Sequence, residues 1–72
     1  MKRFRYKNYI IDARCNELQN HLGWSPYFLI EHHDDSGVTC KAIYIKGVFD
    51  KEEEALEYAA ICGLIYLTRS HV

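Results

Sequence analysis

Trp24-Ser25-Pro26-Tyr27-Phe28-Leu29-Ile30-Glu31-His32-His33-Asp34-Asp35-Ser36-Gly37-Val38-Thr39-Cys40-Lys41-Ala42-Ile43-Tyr44-Ile45-Lys46 is the stretch on which the fold turns. Residues 24–33 place Phe28 and Ile30 on one face against Tyr27, Leu29, Glu31 and His33 on the other, the period of a strand. Residues 38–46 alternate in the same way, Val38, Cys40, Ala42 and Tyr44 against Thr39, Lys41, Ile43 and Ile45. Between them Asp34-Asp35-Ser36-Gly37 is a turn, because aspartate side chains bond nearby amides and glycine accepts positive φ. The two strands therefore form a hairpin. Pro26 cannot donate to a ladder, which predicts that its end of the strand lies at an edge or outside the pairing.

Working outward, Tyr9, Ile11, Ala13 and Cys15 alternate with Ile10, Asp12 and Arg14, so residues 9–18 read as an earlier strand, followed by a polar loop, Gln19 to Gly23. Residues 1–8 read as a basic arm or a short edge strand, with Asn8 available for a left-handed turn position. After Gly47, Asp50 reads as an N-cap completed by Glu53, and Glu52, Glu53 and Glu54 place negative charge at the positive end of a helix running to about Thr68. Ala55, Leu56, Ala59, Cys62, Gly63, Tyr66 and Leu67 recur at helical spacing. The predicted fold is α+β: a three-stranded antiparallel sheet (β-β-β-α) with one C-terminal helix packed on one face. The predicted core is Ile11, Ala13, Phe28, Ile30, Cys40, Ala42, Leu56, Ala59 and Gly63.

At 72 residues the chain is a single domain, and one that gains from burying surface against a partner. Its 49% hydrophobic and 26% charged residues are those of a globular protein rather than a disordered one. The longest uncharged apolar run, Ala59 to Leu67, is far short of a membrane span. The basic start leads into a strand pattern rather than an apolar leader, so neither export nor membrane insertion is expected. Cys15, Cys40 and Cys62 are odd in number and lack zinc-type spacing, which fits reduced thiols in a cytoplasm.

The order strand, strand, strand, helix, with Tyr6-Lys7-Asn8-Tyr9, Trp24-Ser25-Pro26, the Gly37 turn and Val48-Phe49 followed by Glu52-Glu53-Glu54-Ala55-Leu56, resembles a family of small uncharacterised bacterial proteins. That resemblance covers nearly the whole chain and implies a fold but no activity, cofactor or catalytic residues. The order is also similar to the sheet and last helix of double-stranded-RNA-binding domains, whose last helix opens with a lysine-rich turn that grips phosphates. Here that turn is Lys51-Glu52-Glu53-Glu54, and no helix precedes Tyr9, so the likeness implies shared architecture rather than shared function.

Four groups of residues carry possible chemistry. Residues 1–14 hold Lys2, Arg3, Arg5, Lys7 and Arg14 against Asp12, a local charge of plus four in a chain of net charge −1. Interleaved with Phe4, Tyr6 and Tyr9, the arm residues Arg3, Arg5 and Lys7 are the candidate nucleic-acid contacts; a solubilising, aggregation-blocking end explains the same charge. His32, His33, Asp34 and Asp35, with Cys40 on the next strand, suggest a metal ion, but adjacent strand residues point to opposite faces, so a solvated turn is the expected reading. His21 and His71 add no site. Cys40 with His32 or His33 lacks the third group and the cleft that catalysis needs, so no enzyme and no cofactor is expected. Last, Tyr58, Ile61, Leu64 and Ile65 form a second apolar stripe on the helix, which one sheet layer cannot cover. They are the candidate partner surface of an interaction module whose simplest partner is a second copy. The outer sheet face, with Ile10, Tyr27, Leu29, Ile43 and Ile45, is a further candidate.

Overall fold

A computed structural model describes residues 2–70. Strands β1 (Lys2–Tyr6), β2 (Tyr9–Glu17), β3 (Trp24–Asp34) and β4 (Gly37–Tyr44) form one antiparallel sheet in the order β1-β2-β3-β4, followed by helix α1 (Glu52–Ser70). The sheet thus has four strands rather than the expected three. The basic arm is a full strand, because Lys7 takes φ 55° and turns the chain so that Tyr6 pairs with Tyr9 and Phe4 with Ile11. That left-handed position falls on Lys7 rather than on Asn8. A single 3₁₀ turn, Gln19–His21, carries the chain from β2 to β3.

The β3–β4 hairpin closes on the pair Asp34–Gly37, with Gly37 at φ 133° and Asp34 Oδ1 accepting the Ser36 amide at 2.9 Å and hydroxyl at 2.7 Å. This closing pair sets every partner along the hairpin, and Phe28 stands opposite Ile43 and Ile30 opposite Lys41. The expected faces of β4 are therefore exchanged. Ile43 and Ile45 pack against the core, whereas Cys40 and Ala42 are exposed on the other face. A register shifted by one residue moves a whole strand's side chains across the sheet, and β4 offers apolar residues on both faces, so its alternation alone does not choose.

Pro26 is buried in an interior strand, opposite Cys15, not at an edge. Its carbonyl accepts the Ile45 amide at 3.2 Å. In an antiparallel ladder a residue's N–H and C=O point to the same side, so the missing proline donor faces the irregular segment after β4, where no regular ladder needs it. Beyond that segment the chain returns to β3: Trp24 and Phe49 exchange both backbone bonds, at 2.8 and 2.9 Å. This staple delivers the chain to α1. The Ala55 amide bonds the Lys51 carbonyl, which puts Lys51 at the cap position and Asp50 one residue too early for the expected capping box.

The helix lies over β1, β2 and β3 and leaves β4 uncovered. Its buried stripe is Ala55, Ala59, Gly63 and Leu67, one residue per turn. Small side chains let the helix approach closely: a Cβ on Gly63 would stand 2.8 Å from Ile11 Cγ2. Ile11, Phe28, Ile30 and Leu67 form the centre of the core, and Ala13 is also fully buried. Leu56 is half-buried at its margin, and Tyr66 meets Phe28 edge-on with ring centres 6.0 Å apart.

Candidate interaction surfaces

The core stripe of α1 uses up only one side of a helix that is apolar over most of its second half. Ile61, Leu64 and Ile65 are left 57%, 40% and 46% exposed. Tyr58, on the same side, leans on Phe49 with ring centres 5.0 Å apart, so the Trp24–Phe49 staple also props the first residue of this band. Glu57 borders it and pairs with Lys2 at 3.5 Å, and no charged residue interrupts Ile61 to Ile65. Uncharged and contiguous, such a band can bury apolar area against a partner.

The basic candidates are dispersed by pairing. Arg3 lies on the face of the sheet away from α1, between Asp12 at 3.4 Å and Glu31 at 3.3 Å. Arg14 reaches the same Asp12 carboxylate at 3.0 Å, and this bond raises the arginine's pKa. Lys2 is committed to Glu57, and the Lys7 ammonium stands 5.5 Å from the Tyr6 ring centre. Of the three proposed phosphate contacts, Arg3 is thus held between carboxylates, while Arg5 and Lys7 sit at the exposed end of the β1–β2 hairpin. Asp12 is only 2% exposed although it points away from the helix, and its Oδ1 has no hydrogen-bond partner among the described residues. Sequence reasoning missed this buried carboxylate; its visible signal was an aspartate at a strand centre flanked by Arg3 and Arg14 across and along the sheet.

At the hairpin end, His32 and His33 do point to opposite faces. His32 stacks on Tyr9, ring centres 4.5 Å apart, with Asp34 Oδ2 at 3.7 Å from Nδ1. His33 meets Glu31 at 3.3 Å on the other face. Hydrogen bonds from the Ser36 hydroxyl and amide hold the Asp34 carboxyl below its ordinary range, so the turn consumes this group internally. No group of three or more metal-ligating side chains converges among the described residues. Cys40 stands opposite Glu31 and shares a face with His33, not with His32, and the carboxylate on that face, Glu31, is the one that pairs with His33. His71 lies outside the described residues.

Beside the uncovered strand, Tyr9, Ile30, His32, Thr39, Lys41 and Tyr66 line an open cleft of about 430 Å³ on the helix side. It exists because α1 stops short of β4. No helix among the described residues is long and apolar enough to cross a membrane. No family model, curated protein or solved structure matches the chain.

Proposed function

We propose that this protein is a small non-enzymatic interaction module that pairs with a second copy of itself through the back of α1, at Tyr58, Ile61, Leu64 and Ile65. The observation that carries this reading is the uncovered, uncharged band from Ile61 to Ile65 on a helix whose opposite stripe is already spent on the core. At roughly 25 cal/mol per Å², burying about 300 Å² of apolar surface on each copy is worth about 15 kcal/mol; an association cost of about 4–15 kcal/mol is subtracted from this, and micromolar pairing, which needs about 8 kcal/mol net, falls within what remains. Glu52, Glu53 and Glu54 at the start of the helix would diverge into solvent in such a pair. The ion pairs at Arg3 weigh against the alternative, an arm that grips nucleic acid. Membership in the small bacterial family rests on the motifs from Tyr6 to Leu56 alone.

Sedimentation of the wild type and of an Ile61→Glu, Ile65→Glu double variant tests the helix contact. A dimer at high micromolar concentration whose dissociation constant rises about tenfold or more in the variant is the expected result. A wild-type monomer at that concentration, or a variant that pairs equally well, refutes it.

A further inference from the structure

We propose that β4 is a second, independent pairing site, and that its occupant is the β4 strand of another copy, the two joining edge to edge into one continuous eight-stranded antiparallel sheet. The inference starts from which backbone groups each edge leaves free. Ile45 donates to Pro26, so counting back by two residues puts the N–H and C=O of Ile43, Lys41 and Thr39 on β3. Those of Val38, Cys40, Ala42 and Tyr44 point out from the sheet. On the far side, His33 donates to Asn8, so the odd residues of β2 serve β1, and the outward positions of β1 are Arg3 and Arg5.

The two edges therefore differ at the positions that matter. Both outward positions of β1 carry an arginine, and charge at such positions blocks strand addition. All four outward positions of β4 are uncharged, and the strand Gly37–Tyr44 has neither proline nor helix above it. Val38 is 58% and Tyr44 69% exposed. The chain as a whole exposes 5199 Å², where a compact monomer of its mass exposes roughly 4,700 Å².

A second copy fits this edge for a reason of charge and symmetry. Pairing β4 with the β1 edge of a neighbour would set Lys41 against a strand bearing Lys2, Arg3 and Arg5, and would grow without limit. Pairing β4 with β4 about a twofold axis closes at two chains. Only registers that match outward groups to outward groups are allowed, and two of these overlap most of the strand. One places Lys41 against Lys41. The other places Lys41 across from the partner's Thr39, Val38 across from the partner's Ala42, and Cys40 across from the partner's Cys40, and it is the register inferred. It does not involve the back of α1, so it stands or falls apart from the helix contact.

Amide hydrogen exchange resolved by NMR at low and high micromolar concentration, together with an Ala42→Pro variant, tests the proposal. Proline at position 42 removes an outward donor and leaves the β3–β4 bonds at Lys41 and Ile43 in place. Expected are fast exchange at Val38, Cys40, Ala42 and Tyr44 in dilute protein, slowing by about tenfold or more on concentration, and loss of that slowing at Val38, Cys40 and Tyr44 in Ala42→Pro with an unchanged circular-dichroism spectrum. Fast exchange at these four amides at every concentration overturns it, including the case in which the chain still pairs through α1. Should Ala42→Pro fail to fold, Ala42→Lys sets a charge against the partner strand on the outer face and is read in the same way.

Discussion

Along β1 both outer-face residues, Arg3 and Arg5, are arginines, the first locked between two carboxylates, and α1 leans on the strand. Along β4 the corresponding residues are Val38, Cys40, Ala42 and Tyr44, uncharged and exposed, and α1 makes no comparable contact with that strand. Both are edge strands of the same sheet with the same unpaired backbone, so the difference lies in the side chains and in where the helix was set down. It teaches that an edge is closed by two separate devices, charge at outward positions and cover from above. This chain has applied both to one side and neither to the other.

The contrast breaks most visibly in stability. Phe28→Ala empties the centre of the covered part and is expected to lower the unfolding free energy by about 3–5 kcal/mol, whereas Tyr44→Ala on β4 should cost less than about 1 kcal/mol. Urea denaturation of both variants at one protein concentration decides it, and equal losses would mean that β4 is as firmly built in as β3. A smaller effect belongs to Gly63→Ala. The added methyl must displace Ile11 or lift the helix, at about 1–3 kcal/mol, and the better helix propensity of alanine offsets about 1 kcal/mol of that. A net loss of about 1 kcal/mol is expected, and a more stable variant would show that α1 can ride away from β1 and β2. The smallest effect is chemical. Burial pushes the Cys15 thiol up, with Glu52 adding to the shift, so this group holds its proton at neutral pH, whereas Cys40 is exposed on the bare edge. Mass spectrometry after brief maleimide treatment should find Cys40 modified about tenfold faster than Cys15, and the reverse order would place cover over β4.

Much of the covered side was legible in the residues. Ile11, Ala13, Phe28, Ile30, Ala59 and Gly63 announce themselves by strict spacing on elements with one polar face, and all are buried. β4 was misread because Ile43 and Ile45 compete with Val38, Ala42 and Tyr44 for the core, and hydrophobicity does not rank the two sets. The turn does: closing the hairpin on Asp34 and Gly37 forces Phe28 opposite Ile43, information carried by loop length rather than by alternation. β1 was half seen, since Phe4 and Tyr6 alternate correctly but the left-handed residue is Lys7, a type that seldom advertises such a conformation. Pro26 misled for a related reason, because the bulged return of the chain to Phe49 that tolerates it has no local signature. Of the surfaces, the exposed side of α1 was readable as apolar residues in excess of one stripe, while the bare edge became visible only once it was known which amides face outward.

Because each strand pairs with the one just before it, the sheet can be assembled by a succession of short-range closures, each a fast event of the kind that completes in microseconds. The helix is different. Gly63 must find Ile11, near the other end of the chain, and Leu67 must settle beside Ile30. On a ribosome, where residues emerge from the N-terminus, all four strands come out ahead of α1. For that interval Ile11, Phe28, Ile30 and Ile43 form an open apolar floor beside an open edge, and the arrival of the helix sets how long the floor stays open. The order of the elements along the chain is in this sense a timetable, with the hazard concentrated in the gap between the fourth strand and the helix that follows it.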